Sequence, residues 1–215
     1  MNKMKLVLFD LGNVLINNDV DHFYRSIGAD TGIDTDRIKK EYEDDILITL
    51  ETGGISFEDY VAYYKRRWNL KWDCEKWIES YRAIFSLNKI GNNMRMHLKD
   101  LGFPTAILSN LAEYNKIALE RSFPEILDGH VARFYSYEIG LHKPNPKIYR
   151  NVCEVLSVEP QDIFFLDDKF ENVQNANLFG LNGVQFIEEN LEEIMDMISR
   201  ISNKRMHTDV ATLDA

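Results

Sequence analysis

The sequence predicts an α/β fold: a doubly wound, Rossmann-like parallel sheet interrupted by an inserted all-helical cap. Three observations predict it. Four short apolar runs, "KLVLFD" (5–10), "TAILSN" (105–110), "IFFLDD" (163–168) and "GVQFI" (183–187), are continuous rather than alternating, which suits strands covered by helices on both faces. Helical patterns separate most of these runs, and strands alternating with helices build parallel sheets. Residues 16 to about 88 break that rhythm with helical patterns alone.

The N-terminus, "MNKMKLVLFD", has lysines ahead of an apolar run but no small-residue cleavage site, so it reads as a first strand and not a signal peptide. The block that follows reads as helices over "DVDHFYRSIG", "DTDRIKKEYEDDILITL", "SFEDYVAYYKRRW" and "DCEKWIESYRAIF". Asp34 and Ser56 are credible N-caps, because a short side-chain oxygen accepts from the first free backbone N–H groups. The turn "ETGGIS" (51–56), with Gly53 and Gly54, is its expected flexible point. Tyr60, Tyr63, Tyr64, Trp68, Trp72, Trp77 and Tyr81 read as helix-packing residues, and "EYEDD" (41–45) as a solvated helix face.

Beyond the block, "NNMRMHLKDLGF" leads into the second strand, and a weaker strand, "ARFYSY" (132–137), precedes the helix "NPKIYRNVCEVLSV". "FENVQNANLFG" follows the third apolar run and "NLEEIMDMISRI" the fourth. The expected organisation is a core of 1–15 and 89–203, a cap of 16–88 and a frayed tail of 204–215.

With 215 residues, 45% of them hydrophobic, the chain is long enough for a full core. A formal net charge of -10 argues against nucleic-acid or anionic-membrane partners, which attract clustered Lys and Arg. No run approaches the ~20 apolar residues that span a bilayer. Cys74 and Cys153 lack metal or redox-motif spacing, so the expectation is a reduced, cytoplasmic protein.

The chemistry lies where the apolar runs end. Asp10, Ser109–Asn110 and Asp167–Asp168 each close a run. In open parallel sheets, ligands bind at the carboxyl ends of strands, near the point where strand order reverses. "GLHKPNPKIY" (140–149) joins them, its prolines fixing Lys143 just ahead of a helix. Three carboxylates in one crevice repel unless a cation intervenes, and a hard divalent ion such as Mg²⁺ with oxygen ligands answers that. Lys143, the Ser109 hydroxyl and the Asn110 amide would hold a dianionic group against Asp10. That describes phosphoryl transfer, with Asp10 as nucleophile and the Gly12 carbonyl free to ligate the metal.

"FDLGNVL", "LSN", "HKPNPKIY" and "FFLDDKFENVQNA", in this order, resemble the four sequence motifs of the haloacid dehalogenase-like hydrolase superfamily. The resemblance covers the chain to about residue 200 and extends to a helical cap between the first two motifs. It implies Asp10 as nucleophile, Ser109 as phosphate ligand and Lys143 as the cation steadying both. It implies Asp168 and Asp167 as metal ligands, the Gly12 oxygen as another, and Asn172 orienting the acidic pair. The capped form with "DLGN" is most similar to small sugar-phosphate phosphatases, in which the cap turn reaches the substrate, making Glu51 and Gly53 specificity candidates. Most phosphatases of the superfamily carry an acid two residues after the nucleophile; here that position is Gly12. Its absence would slow expulsion of a poor leaving group by about 10²–10⁴-fold. A good leaving group would remove that need, as would a proton from His22 or Asp19; slow catalysis is the third account. The expectation is an Mg²⁺-dependent phosphatase acting on a small phosphorylated metabolite. The alternatives are a metal-independent 2-haloacid dehalogenase, whose relatives carry small polar residues in place of the acidic pair, and a weakly active phosphate-binding domain.

Overall fold

The computed structural model describes residues 4–42 and 45–200. Seven strands lie among these residues: β1 (Leu6–Phe9), β2 (Ile16–Asn18), β3 (Phe85–Leu87), β4 (Thr105–Ser109), β5 (Ala132–Tyr135), β6 (Ile163–Asp167) and β7 (Asn182–Gln185). Five form one sheet in the order β5-β4-β1-β6-β7, every pair parallel. The four apolar runs and the weaker fifth all become strands of this sheet, confirming the expected fold class.

The continuous apolar character of β1 has a direct cause. Leu6 and Leu8 pack on one face with Leu108, Phe165, Ile148 and Tyr149; Val7 and Phe9 pack on the other with Ile107, Phe164, Met94 and Leu98. Both faces are therefore dry, and no polar position survives along the strand. From β1 the chain goes to β4 and β5 on one side, then crosses to β6 and β7 on the other. The strand order reverses at β1, so the crevice at its carboxyl end is the natural ligand position.

The helices of the insertion are α1 (Val20–Thr31), α2 (Thr35–Tyr42), α3 (Asp45–Glu51), α4 (Phe57–Trp68) and α5 (Cys74–Arg82). Ser56 caps α4 by accepting from Asp59 N–H at 3.1 Å, and Asp34 accepts from Asp36 N–H and Arg37 N–H at 3.1 and 3.2 Å. The stretch is not purely helical, contrary to the sequence reading. β2 and β3 pair antiparallel, with Ile16 opposite Leu87 and Asn18 opposite Phe85, and form a two-stranded stalk for the helices. Strands this short, joined only after five helices, leave no local periodicity to detect.

Beyond the insertion, α6 (Lys89–Asp100), α7 (Glu113–Ser122), α8 (Pro124–Leu127), α9 (Ser136–Ile139), α10 (Pro146–Leu156) and α11 (Phe170–Phe179) flank the large sheet. The chain over 191–200 is also helical, and its Ile194 and Ile198 pack under the sheet. Gly91 in α6 lets the helix approach the loop after β1: a Cβ there would lie 1.8 Å from the Val14 carbonyl oxygen. The expected tail, 204–215, lies outside the described residues.

The insertion has its own core of rings. Trp77 is fully buried, with its ring 5.5 Å from Phe23, 5.6 Å from Tyr60 and 5.8 Å from Tyr64. Each such residue contributes about 1.5–3 kcal/mol of burial. Tyr114 and Ala118 of α7 belong to the same cluster, so the insertion packs continuously onto a helix of the sheet layer. The "EYEDD" stretch is not a solvated face at its start. Tyr42 is buried, and Glu41 accepts hydrogen bonds from Arg37, Arg67 and the Trp68 indole at 2.7–2.8 Å, bonds that hold its carboxyl down to about 2. Residues 43 and 44 are outside the description.

Candidate active site

Asp10 follows β1, Ser109 ends β4 and Asp167 ends β6, so register alone brings them to one edge. Asp10 N–H donates to the Leu166 carbonyl at 2.9 Å, continuing the ladder and fixing the nucleophile candidate against β6. Lys143 reaches in from the loop after α9 and is wholly buried. Its Nζ lies 3.0 Å from Asp10 Oδ1, 2.5 Å from Asp167 Oδ2 and 3.0 Å from the Leu108 carbonyl. A buried ammonium is tolerable only because two carboxylates surround it. Burial opposes the charge, yet Asp10 and Asp167 outweigh it and hold Lys143 above the usual lysine range.

The acidic groups are oriented one by one. Asn172 Nδ2 donates to both Asp167 oxygens at 2.9 and 3.0 Å, and Lys169 N–H adds a third bond at 2.9 Å. Asp168 accepts from Asn13 Nδ2 at 2.8 Å, while Gln185 Nε2 donates to its carbonyl at 2.8 Å. Asn13 has a φ of 54°, a left-handed conformation that asparagine tolerates better than most residues. Sequence reading missed Asn13; its signal was an asparagine directly after glycine at a strand end.

One carboxylate oxygen from each of Asp10, Asp167 and Asp168 lies within 4.8 Å of the others. Asp10 Oδ1 is buried and, despite the nearby ammonium, accepts no aligned hydrogen bond. Its carboxyl is pushed up to about 6, chiefly by burial, with Lys143 opposing and Asp167 and Asp168 adding to the rise. Three crowded carboxylates with a single buried ammonium beside them fit a hard divalent cation.

A cavity of about 370 Å³ opens above this edge. Asp10, Gly12, Ser109, Asn110, Lys143, Asp168 and Asn172 line its floor side, and Glu51 lines its wall. Gly12 also faces Asn18: a Cβ at Gly12 would lie 3.0 Å from Asn18 Nδ2. Four expected residues are not among the lining: Asp167, which is fully buried, and Asp19, His22 and Gly53. His22 sits in the first turn of α1, where its N–H bonds the Asp19 carboxylate at 3.0 Å. Gly53 serves a close approach, since a Cβ there would lie 2.6 Å from the Tyr137 carbonyl oxygen. The cap turn touches the sheet layer there, with a φ of 71° that favours glycine.

The Asn110 side-chain amide, expected to meet a ligand, is taken up by protein partners. Its Oδ1 accepts from Lys143 N–H at 2.8 Å, and its Nδ2 donates to the Lys143 carbonyl at 2.9 Å and faces His142 Nδ1 at 3.0 Å. On its other side, His142 Nε2 meets Glu51 Oε2 at 2.9 Å. This chain ties the cap to the lysine loop.

A family model of haloacid dehalogenase-like hydrolases matches residues 4–180. The chain belongs to this family. It is 36% identical over 90 residues to (S)-2-haloacid dehalogenase 1 of Pseudomonas sp. strain CBS-3, which covers 41% of this chain and 38% of that one. The chain thus spans well under half the length of that curated relative. It is 21% identical over 210 residues to glyceraldehyde 3-phosphate phosphatase of Pyrococcus furiosus, covering 86% of this chain and 82% of the other. A haloacid dehalogenase-family enzyme from Bacteroides thetaiotaomicron, solved with magnesium and inorganic phosphate, superposes with a TM-score of 0.76 at 21% identity, covering 85% of this chain and 93% of that one. At that identity the likeness speaks for the haloacid dehalogenase-like fold alone.

Proposed function

We propose that this hydrolase is an Mg²⁺-dependent phosphatase that acts on a small phosphorylated metabolite through an aspartyl phosphate on Asp10. The observation that carries the reading is Asp10, Asp167 and Asp168 converging within 4.8 Å beside a buried lysine. Asp10 and Asp168, with the Gly12 carbonyl, would hold the cation, and Asp167 would support it from behind. When bound, the cation supplies charge neutralisation for the phosphoryl oxygens. The residues supply the rest. Lys143 keeps Asp10 ionised and adds positive charge at the transferring group. Ser109 Oγ and the backbone after it donate to phosphoryl oxygens. Asp10 attacks phosphorus as the ester P–O bond breaks, the leaving oxygen taking its proton from water because Gly12 offers none; a second water then cleaves the acyl phosphate, releasing phosphate and a proton and restoring the carboxylate. The sheet edge carries the chemistry, and the helices of 16–88 form the cap that receives the leaving group.

The dehalogenase reading draws on the likeness to the Pseudomonas enzyme, but a metal-free mechanism has no use for three crowded carboxylates. The test is hydrolysis of p-nitrophenyl phosphate with Mg²⁺. Turnover is expected to vanish with EDTA and to fall by about 10⁴-fold or more in Asp10→Asn. Chelator-resistant chloride release from 2-chloropropionate, without phosphate release, would establish the dehalogenase instead.

A further inference from the structure

The cavity has two unlike halves. Its floor is polar and anionic, whereas its cap wall is built from Tyr24, Tyr42, Leu47, Tyr81 and Phe85. A single charged side chain, Glu51, interrupts that apolar wall. Glu51 stands at the end of α3, and its carboxylate has only 17% of its side chain exposed. Among the described residues, no lysine or arginine lies within ion-pair distance of it; its partner is His142.

The hydrogen-bonding roles of the His142 ring nitrogens follow from their neighbours. Lys143 N–H donates to Asn110, so the Asn110 oxygen faces that N–H and its NH₂ faces both the Lys143 carbonyl and His142 Nδ1. In this arrangement His142 Nδ1 accepts from the Asn110 amide, and Nε2 donates to Glu51. This bond orients the Glu51 carboxylate, which has no lysine or arginine beside it among the described residues. Its field reaches the wall: burial chiefly, and the Glu51 charge after it, push the Tyr81 phenol up. Glu51 Oε1 has no partner among the described residues.

A half-buried carboxylate in a cavity lined by tyrosine side chains, with no lysine or arginine beside it, is costly unless the ligand supplies a cation. Tyrosine faces and a carboxylate together are the chemistry that recognises an alkylammonium group. We propose that the leaving group carries an ammonium, so that the preferred substrates are aminoalkyl phosphates, with Glu51 and the Tyr24, Tyr42 and Tyr81 rings binding the cation. This inference rests on the phosphatase reading above. The same Glu51 charge disfavours esters that bear a second anion, such as a carboxylate or another phosphate.

The test compares phosphocholine with 3,3-dimethylbutyl phosphate, its uncharged isostere, as Mg²⁺-dependent substrates. Wild type is expected to favour phosphocholine in kcat/KM by about tenfold or more. Glu51→Gln is expected to bring the ratio towards unity, and taking the ratio within one variant cancels any general loss of active protein. On wild type alone, choline is expected to inhibit p-nitrophenyl phosphate hydrolysis more strongly than 3,3-dimethylbutanol. A wild-type ratio at or below one, or a preference unchanged in Glu51→Gln, overturns the inference while leaving the phosphatase reading intact. Absence of Mg²⁺-dependent hydrolysis of any ester, p-nitrophenyl phosphate included, overturns both.

Discussion

The carboxyl edge of the sheet and the interior of the cap are both buried, and they are held by opposite means. At the edge, charge meets charge: Lys143 lies between Asp10 and Asp167, and Asn172 and Asn13 hold the two adjacent acids. In the cap, ring meets ring around Trp77, and the Trp77 indole N–H is buried with no hydrogen-bond partner. Among the described residues, Asp10 Oδ1 at the edge and the Trp77 indole N–H and Tyr60 hydroxyl in the cap lack aligned hydrogen bonds, and the two cases differ in meaning. Asp10 lines the cavity, and its crowded carboxyl group fits a cation. The indole N–H is what large aromatic volume costs in a small helical core.

If that contrast is right, the two regions fail differently. The largest effect is expected for Lys143→Met, which leaves Asp167, with no exposed surface, beside Asp10 without a cation. Turnover is expected to fall by about 10³-fold, and stability by about 3–5 kcal/mol in the absence of Mg²⁺. Thermal melts with and without Mg²⁺ check this, since the cation is expected to restore part of the loss. An unchanged melt would mean that charge pairing does not hold the edge together.

Trp77→Ala is expected to cost about 3–5 kcal/mol by opening a ring-sized cavity, measured by denaturant unfolding. Trp77→Phe sharpens the comparison: it removes the orphaned N–H and keeps a ring, so a loss within about 1–2 kcal/mol is expected. A loss in Phe as large as in Ala would show that the indole has a polar partner.

Acid separates the regions more gently. His130, between Thr105 and the Ile126 carbonyl, is driven by burial from 6.5 down to about 4. Folding thus favours its neutral form, so stability is full above pH 6.5 and declines as pH falls towards 4. Glu41 in the cap is held from 4.5 down to about 2, so its contribution is present above pH 4.5 and is lost as pH falls towards 2. Indole fluorescence follows the cap, because all three tryptophans lie there. Its change is expected at lower pH than the far-ultraviolet signal of the sheet. The reverse order would contradict the assignment.

The sheet and its polar strand ends were legible because each is a contiguous string: an apolar run, then an acid or a serine. What escaped depends on residues distant in sequence. Asn13 meets Asp168 across 155 positions, and Glu51 meets His142 across 91. The β2–β3 stalk closes over 69 positions between Asn17 and Ser86, and His22, attractive as a proton donor, is exposed in the first turn of α1 and does not line the cavity. Local pattern identifies the groups that do chemistry; it does not identify what orients them.

The most direct measurement is a crystal structure with Mn²⁺ replacing Mg²⁺, its position fixed by anomalous scattering. The expected peak lies within about 2.0–2.3 Å of carboxylate oxygens from both Asp10 and Asp168. An ion bound elsewhere, with those two carboxylates still clear of it, would contradict the account.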